Sequence, residues 1–487
     1  MPVILKIYYP MILSAPCWIL NCKMSWCSGK KKFADFCRLF IPDHSGQAVF
    51  QDIKNNCIIN SGEIFKDICA VISACSKEHG KALLFLDSGR SFLSALFGCL
   101  ASGIKPVLIN NKLRQEISLL AGLYDFIITN QEYYEIIREY AAPDTRYLLV
   151  DSLAPGIADY SVLPSVDSSD TALYLFTSGS TGAPKLVAKT FDNLYHETAA
   201  LADFFKIRSS DIFYPLVPAF HIYGLLFEVL LPLFCGSSII LNAHFSPTFT
   251  FEKIIQEKKA TVIIASPLHF QTMSGFLDSY KKDDFTFFRH CVSSTMAMDV
   301  ALAESFYRKL GMIITEIYGS TETGGIAFRR YAHNSRWKFF DFVSHRLDRE
   351  NVLSVSSPTV SLPEGGESWY ATGDVIEGDR QFNLLGRVNQ IIKSAGNRVS
   401  AVEIENALKK SGLVNDAAVI AKKCGGLRGE AAAAYVVPAA ANEHIIEELK
   451  KAMCNLPEFK RPHFYKIMNE IPRGPGGKVF YKNLPEI

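Results

Sequence analysis

"LFTSGSTGAPKLVAKT", residues 175–190, gathers hydroxyl side chains, glycines and a proline around Lys185. Such a composition fits a linker, a phosphate cradle or a surface loop, and its flanks decide among them. An apolar run, "ALYLF" (172–176), precedes the glycines, and a helical stretch begins near residue 191. A glycine-rich turn between strand and helix exposes backbone amides, and the hydroxyls and lysine add donors suited to polyphosphate. The spacing excludes a Walker A loop: Gly179 and Gly182 are three apart, and Ala183 and Pro184 intervene before Lys185.

Outward from this stretch, strand-like and helix-like segments alternate. "ALLFL" (82–86), a helical period over 91–103, "PVLI" (106–109), a helical stretch at 112–121, "FIIT" (126–129), a helix at 131–140 and "YLLV" (147–150) form a first series. After the Ser/Asp/Pro-rich residues 152–170 come "ALYLF", "SIIL" (238–241), "TVII" (261–264) and "MIITEIY" (312–318). Short apolar strands alternating with helices predict parallel sheets covered on both faces. Two such series predict an α/β fold whose large N-terminal domain stacks α/β layers. Residues 328–368 are polar and aperiodic, predicting loops and a small β subdomain. From residue 387, "QIIKSAG", "AAVIAKK" and "AAAAYVVP" read as strands, with amphipathic stretches at 402–411 and 443–453, predicting a small α+β C-terminal domain. The expected division is a peripheral extension (1–40), a large domain (41–386) and a small domain (387–487).

Composition narrows the function. The 487 residues carry a net charge of +2, with 48% hydrophobic and 21% charged residues, a globular balance without a nucleic-acid patch. The 12 cysteines are scattered without a C-x-x-C pair, which predicts reduced thiols and a cytoplasmic setting. The first 23 residues are apolar but interrupted by Pro10 and Pro16, with Lys6 as their early positive charge. That predicts an extension and no stable membrane span, in a chain whose later segments fall short of a span as well.

Further blocks accompany the opening one. "YGSTETGG" (318–325) again joins hydroxyls, glycines and a carboxylate directly after a strand, where open α/β sheets bind ligands. "WYATGDV" (369–375) places Asp374 in an expected tight turn; a carboxylate there suits a ribose diol, and a plain Asx turn is the alternative. "LLGRVNQIIKSAGNRVSAVEIE" (384–405) and "IPRGPGGKVFYKNL" (471–484) complete the set. In this order the blocks resemble the adenylate-forming superfamily: acyl- and aryl-CoA synthetases, adenylation domains of peptide synthetases, and luciferases.

The resemblance implies roles position by position. Thr177, Ser178, Gly179, Ser180, Thr181, Gly182 and Lys185 match the mobile loop that holds the β- and γ-phosphates of ATP. Thr321 matches the hydroxyl on the α-phosphate, Glu322 the Mg²⁺ ligand, and Tyr318 the ring against adenine. Asp374 and Arg387 match the ribose pair, and Asn389 stands at the hinge of the mobile C-terminal domain. Lys478 matches the lysine of the first half-reaction, offsetting the repulsion between a carboxylate and an anionic triphosphate. Lys393 and Gly396, in "KSAGNR" (393–398), match the face shown to the thiol acceptor. His221, in "PAFHIYGLL" (218–226), matches a residue beside the acyl carboxylate; a histidine next to an apolar helix is more often a core or boundary residue.

The chain departs from the family pattern at Leu186, where glycine is usual, at Asn389, usually Asp or Lys, and at Gly474-Pro475, usually a hydroxyl residue. "SSTMA" (293–297) stands where Gly-Ala-Pro is more common, which implies a reshaped pocket wall. The implied activity is ATP- and Mg²⁺-dependent ligation of a small carboxylic acid, fatty or aromatic, to a thiol. CoA is the default acceptor and the phosphopantetheine of an acyl carrier protein its rival. Adenylation without thioester transfer, or an idle nucleotide-binding scaffold, stay open as alternatives.

Overall fold

The computed structural model describes residues 31–32, 48–52, 57–109, 117–154, 165–177, 185–241, 255, 259–331, 334–362, 368–394, 397–424, 429–473 and 479–487. The backbone groups into two compact units, Met1–Ser335 with Ser357–Gly366, and Arg336–Ser356 with Glu367–Ile487.

The first unit holds two α/β layers. In one, the strand order is Lys185–Thr190, Thr171–Thr177, Lys105–Leu108, Lys81–Leu84, Phe126–Thr129 and Tyr147–Leu149. All neighbours are parallel except the Thr171–Thr177/Lys185–Thr190 hairpin. Its inner strands are apolar on both faces because helices such as Arg90–Ala101 cover them, so they read as unbroken hydrophobic runs. The helix Ser61–Ala74 starts at a capping box in which Asn60 and Glu63 satisfy each other's amides.

In the other layer the order is Gly324–Arg330, Ile314–Ser320, His290–Ser293, Val262–Ala265, Ile212–Pro215, Ser238–Leu241, Ala48–Asp52 and Cys57–Asn60. The inner pairs are parallel, while Gly324–Arg330 pairs antiparallel with Ile314–Ser320 and Cys57–Asn60 with Ala48–Asp52. The α/β class and layered large domain expected from the sequence are thus present.

Two local expectations change. Thr171–Thr177 joins the first layer, beside Lys105–Leu108, although its position after residues 152–170 suggested the second. Local rhythm does not say which sheet edge receives the next strand. Residues Lys185–Thr190, expected as the end of a loop, form a strand paired with Thr171–Thr177. Their side chains alternate, with Val187 and Lys189 inward, and the charge on Lys189 hides the period of two. Leu186, at the position where glycine was expected, packs with Tyr174 and Phe176 against the core of this layer.

The second unit contains an antiparallel sheet of Asn334–Phe339, Ser344–Leu347, Val352–Ser356, Tyr370–Gly378 and Gln381–Arg387. A hairpin, Ile391–Ser394 with Asn397–Ser400, leads to the helix Ala401–Lys410. The strands Val414–Lys423, Glu430–Pro438 and Phe464–Ile467 follow with the helix Ile445–Ala452, around a core that includes Ile404, Val419, Val436 and Leu449. Among the described residues no helix is long and apolar enough to cross a membrane, and the described cysteines are free thiols.

Candidate active site

In the first unit the "YGSTETGG" block is a hairpin tip at the carboxyl end of Ile314–Ser320, with a register shift between Tyr318 and Gly319. Ser320 and Thr323 tie it shut: the Ser320 amide donates to Thr323 Oγ1 at 3.1 Å and the Thr323 amide to Ser320 Oγ at 3.2 Å. Gly324, at φ +69°, turns the chain where an L side chain is strained. The strand Gly324–Arg330 then returns antiparallel. Tyr318, Thr321 and Glu322 are half-buried on this tip. Among the described residues neither the Thr321 hydroxyl nor the Glu322 carboxylate makes a hydrogen bond, so both remain able to engage a ligand.

Beneath the tip the main chain is held from several directions. The Glu322 carbonyl accepts from the Ser361 amide at 2.7 Å and from Lys189 Nζ at 3.3 Å. Thr359 Oγ1 donates to the Thr323 carbonyl at 2.7 Å, and Glu197 Oε1 accepts from the Gly325 amide at 2.7 Å. Asn193 Nδ2 donates to the Pro358 carbonyl at 2.7 Å. Lys189 and Glu197 did not emerge from the sequence. The available signals were a lysine at an inward strand position and a glutamate on the inner face of the helix Phe191–Phe205.

The phosphate-loop residues Ser178, Gly179, Ser180, Thr181 and Gly182 lie outside the described residues. Their flanks are described: Thr177 pairs with Lys185 across the hairpin, and Thr177 Oγ1 donates to the Lys185 carbonyl at 3.3 Å.

His221 stands at the start of a helical run of Ile222–Gly224, Leu225–Leu230 in π geometry and Leu231–Cys235. Its ring meets Phe220 edge-on at 4.8 Å, with its outer face exposed. The preceding Ala219 amide donates to Ser88 Oγ at 2.7 Å. Glu228, within the π stretch, is buried, and burial pushes its carboxyl up to about 8 against the lowering effect of its hydrogen bond with Ser88.

The segment 293–297 is anchored by Ser294, whose Oγ donates to the Ile317 carbonyl at 2.9 Å. The Met298 amide follows, donating to Glu316 Oε1 at 3.0 Å. Between them Thr295 has φ +81°, a backbone state that a β-branched residue rarely adopts.

In the second unit Asp374 and Arg387 face each other across paired strands, with Arg387 Nε 2.8 Å from Asp374 Oδ1. Asp374 lies within the strand Tyr370–Gly378, not in a tight turn. Gly373 at φ +74° and a register shift after Val375 supply the local bend that the glycine signalled. Arg387 also donates to the Thr372 carbonyl at 3.0 Å, which leaves the carboxylate clamped in one orientation.

Asn389 is exposed in the short turn Val388–Gln390, and Gln390 Nε2 donates to Tyr481 Oη at 3.0 Å. Lys393 is exposed; its Nζ pairs with Glu350 Oε1 at 2.7 Å and its amide donates to Glu430 Oε2 at 2.7 Å. Gly396 and Lys478 lie outside the described residues. The ends of the segment carrying Lys478 are joined by a bridge between Arg473 and Val479.

The donor set fits the expected chemistry. Among the described residues no three His, Cys, Asp or Glu side chains cluster tightly enough to hold a metal unaided. Mg²⁺ shared with phosphate oxygens and water needs no such cluster, and a single available carboxylate such as Glu322 suffices.

Comparison with known proteins places the chain in a family. Residues 76–343 match the AMP-binding enzyme family and residues 403–478 the AMP-binding enzyme C-terminal domain. A crotonobetaine/carnitine–CoA ligase of Citrobacter koseri is 28% identical over 462 residues, 82% of this chain and 87% of that protein. The same ligase of Salmonella typhi is 26% identical over 458 residues, 83% of this chain and 88% of that protein. The fold is shared with the o-succinylbenzoate CoA synthetase of Bacillus subtilis bound to its acyl-adenylate, at TM-score 0.77 and 20% identity over 97% of this chain and 98% of the other. A benzoate CoA ligase of Burkholderia xenovorans gives 0.75 at 21% identity over 93% and 100%. With the first match spanning more than half its length and the second lying in its C-terminal part, the chain belongs to the AMP-binding enzyme family.

Proposed function

We propose that this chain is an ATP- and Mg²⁺-dependent acid–thiol ligase that activates a small carboxylic acid as its acyl-adenylate and passes the acyl group to CoA. The observation that carries the reading is the hairpin tip, where Thr321 and Glu322 are presented on a main chain held rigid from below, their polar groups unspent. The CoA ligases among the curated relatives support CoA as acceptor. A carrier protein's phosphopantetheine ends in the same thiol and is a separate arm of the test.

In the first half-reaction a carboxylate oxygen attacks the α-phosphorus, and the bond to the bridging oxygen of pyrophosphate breaks. Thr321 would donate to the α-phosphate, and Glu322 would hold the Mg²⁺ that shares its charge. Residues 177–182 with Lys185 would grip the β- and γ-phosphates, Tyr318 the adenine, and Asp374 with Arg387 the ribose. Lys478 would lie against the α-phosphate, and His221 by the acid. A charge held ready in place lowers the barrier because no reorganisation is needed when the negative charge develops.

In the second half-reaction the thiol sulfur attacks the acyl carbonyl, its proton leaves to solvent, and AMP departs. The small domain (387–487) would turn about Asn389 so that the face with Lys393 and Gly396 replaces Lys478. The large domain is assigned to 41–386, residues 1–40 are read as a peripheral extension, and the proposed setting is cytoplasmic.

The test is acid-dependent ATP–pyrophosphate exchange over a panel of fatty and aryl acids, followed by thioester formation with CoA or a holo-carrier protein. The proposal expects exchange with at least one acid and thioester with CoA. Exchange without thioester points to an adenylate-only enzyme; absence of exchange with every acid refutes the ligase.

A further inference from the structure

We infer that Lys189 and Glu197 are positioning residues for Glu322: they hold the main chain at its own carbonyl and, three residues on, at the Gly325 amide, and so decide where its carboxylate stands. The inference rests on the assignment of Glu322 to Mg²⁺ given above.

Lys189 is 0% exposed at the inner face of the strand Lys185–Thr190. Its Nζ donates to the Glu322 carbonyl at 3.3 Å and to the Thr359 carbonyl at 2.9 Å. Thr359 in turn donates to the Thr323 carbonyl, so one ammonium reaches two successive residues of the tip, directly and through a relay. Glu197, 1% exposed, takes the Gly325 amide at the end of the tip. Gly324 lies so close that a Cβ there would stand 2.4 Å from Glu197 Oε2, and only glycine allows the approach. Among the described residues the second oxygen of Glu197 has no hydrogen-bond partner.

The arrangement is expensive. An ammonium and a carboxylate taken out of water cost more than an apolar pair of the same size, which would fill the space without loss. Burial pushes Lys189 down to about 8 and raises Glu197, each partly restored by the other's charge. What the two charged side chains do that apolar ones do not is hold a carbonyl and an amide at the two ends of the Glu322–Gly325 segment. The same strand begins at Lys185, so the brace for the metal-side residue is built into the element that carries the phosphate-side lysine.

The test uses full-length Lys189→Met and Glu197→Leu, titrated calorimetrically with ATP over a Mg²⁺ series, with melting curves to confirm folding. Outer partners of metal-holding groups typically contribute 10–100-fold in metal affinity, so the Mg²⁺ needed for half-maximal ATP binding rises about 10-fold or more in both, and metal-free ATP binding is unchanged. Glu197→Gln, which keeps an acceptor for the Gly325 amide, retains most of the Mg²⁺ response. Combining Lys189→Met with Glu322→Gln gives no further loss than Glu322→Gln alone. Wild-type Mg²⁺ dependence in the folded variants, with Glu322→Gln impaired, overturns the positioning role. Wild-type dependence in Glu322→Gln overturns the metal assignment and this inference with it. Should Lys189→Met fail to fold, the contrast between Glu197→Leu and Glu197→Gln decides.

Discussion

Replacing Glu228 with glutamine is expected to make the protein more stable in mild alkali while leaving its stability in acid nearly unchanged. Glu228 is 4% exposed inside the π-helical stretch that follows His221, and among the described residues its Oε2 has no hydrogen-bond partner. Burial holds its folded-state pKa near 8, above the ordinary 4.5. The native state therefore keeps this proton more tightly than the unfolded chain does. That contribution to stability is complete below about pH 4.5 and is lost as pH rises through about 8. Between those limits the loss is about 3–5 kcal/mol, from 1.36 kcal/mol for each pH unit separating the two pKa values, less what relaxation recovers.

Glutamine has nearly the same shape, accepts the hydrogen bond from Ser88 and does not ionise, so it removes the loss without opening a cavity. The assay is urea unfolding of wild type and Glu228→Gln at intervals from pH 5 to pH 9. Taking the difference between the two proteins cancels every other titrating group. The expected difference is small at pH 5 and grows in favour of the variant by several kcal/mol at pH 9. Curves that run parallel across this range refute a buried, protonated Glu228. A variant equally destabilised at every pH shows instead that the side chain acts through packing alone.

Other expectations can be checked separately. Thr295→Gly removes a β-branched residue from φ +81°, and the urea midpoint should rise by an amount worth about 1 kcal/mol, with Thr295→Ala gaining less. Asp374→Asn should weaken ATP binding about 10-fold by calorimetry with little change in melting, because Arg387 at 2.8 Å is half exposed and contributes little stability; unchanged ATP affinity would remove Asp374 from the ribose. Lys478→Ala should abolish pyrophosphate exchange and spare thioester formation from pre-made acyl-adenylate, and equal loss of both steps contradicts a role confined to adenylation.

The same physics explains which features the sequence disclosed. Strands such as Lys81–Leu84 and Phe126–Thr129 are buried on both faces, so local composition alone marks them. The tip at 318–325 was legible because ligand chemistry demands hydroxyls, glycines and a carboxylate within a few residues of one another. Asp374 was found as a residue but misplaced in a turn, because Gly373 bends a strand with the same signal that it would lend a loop. The brace beneath Glu322 was not legible at all. Lys189 meets the Glu322 carbonyl across 133 residues of chain, and Glu197 meets the Gly325 amide across 128. No local period reports such a pairing. A lysine in an inward strand position looks like an error of alternation until its partners are in view. Polar residues that break a local pattern are therefore where long-range function should be sought first: a chain tolerates the desolvation of a charge only where the fold brings it a partner, and here the partners are the main-chain groups that carry Glu322.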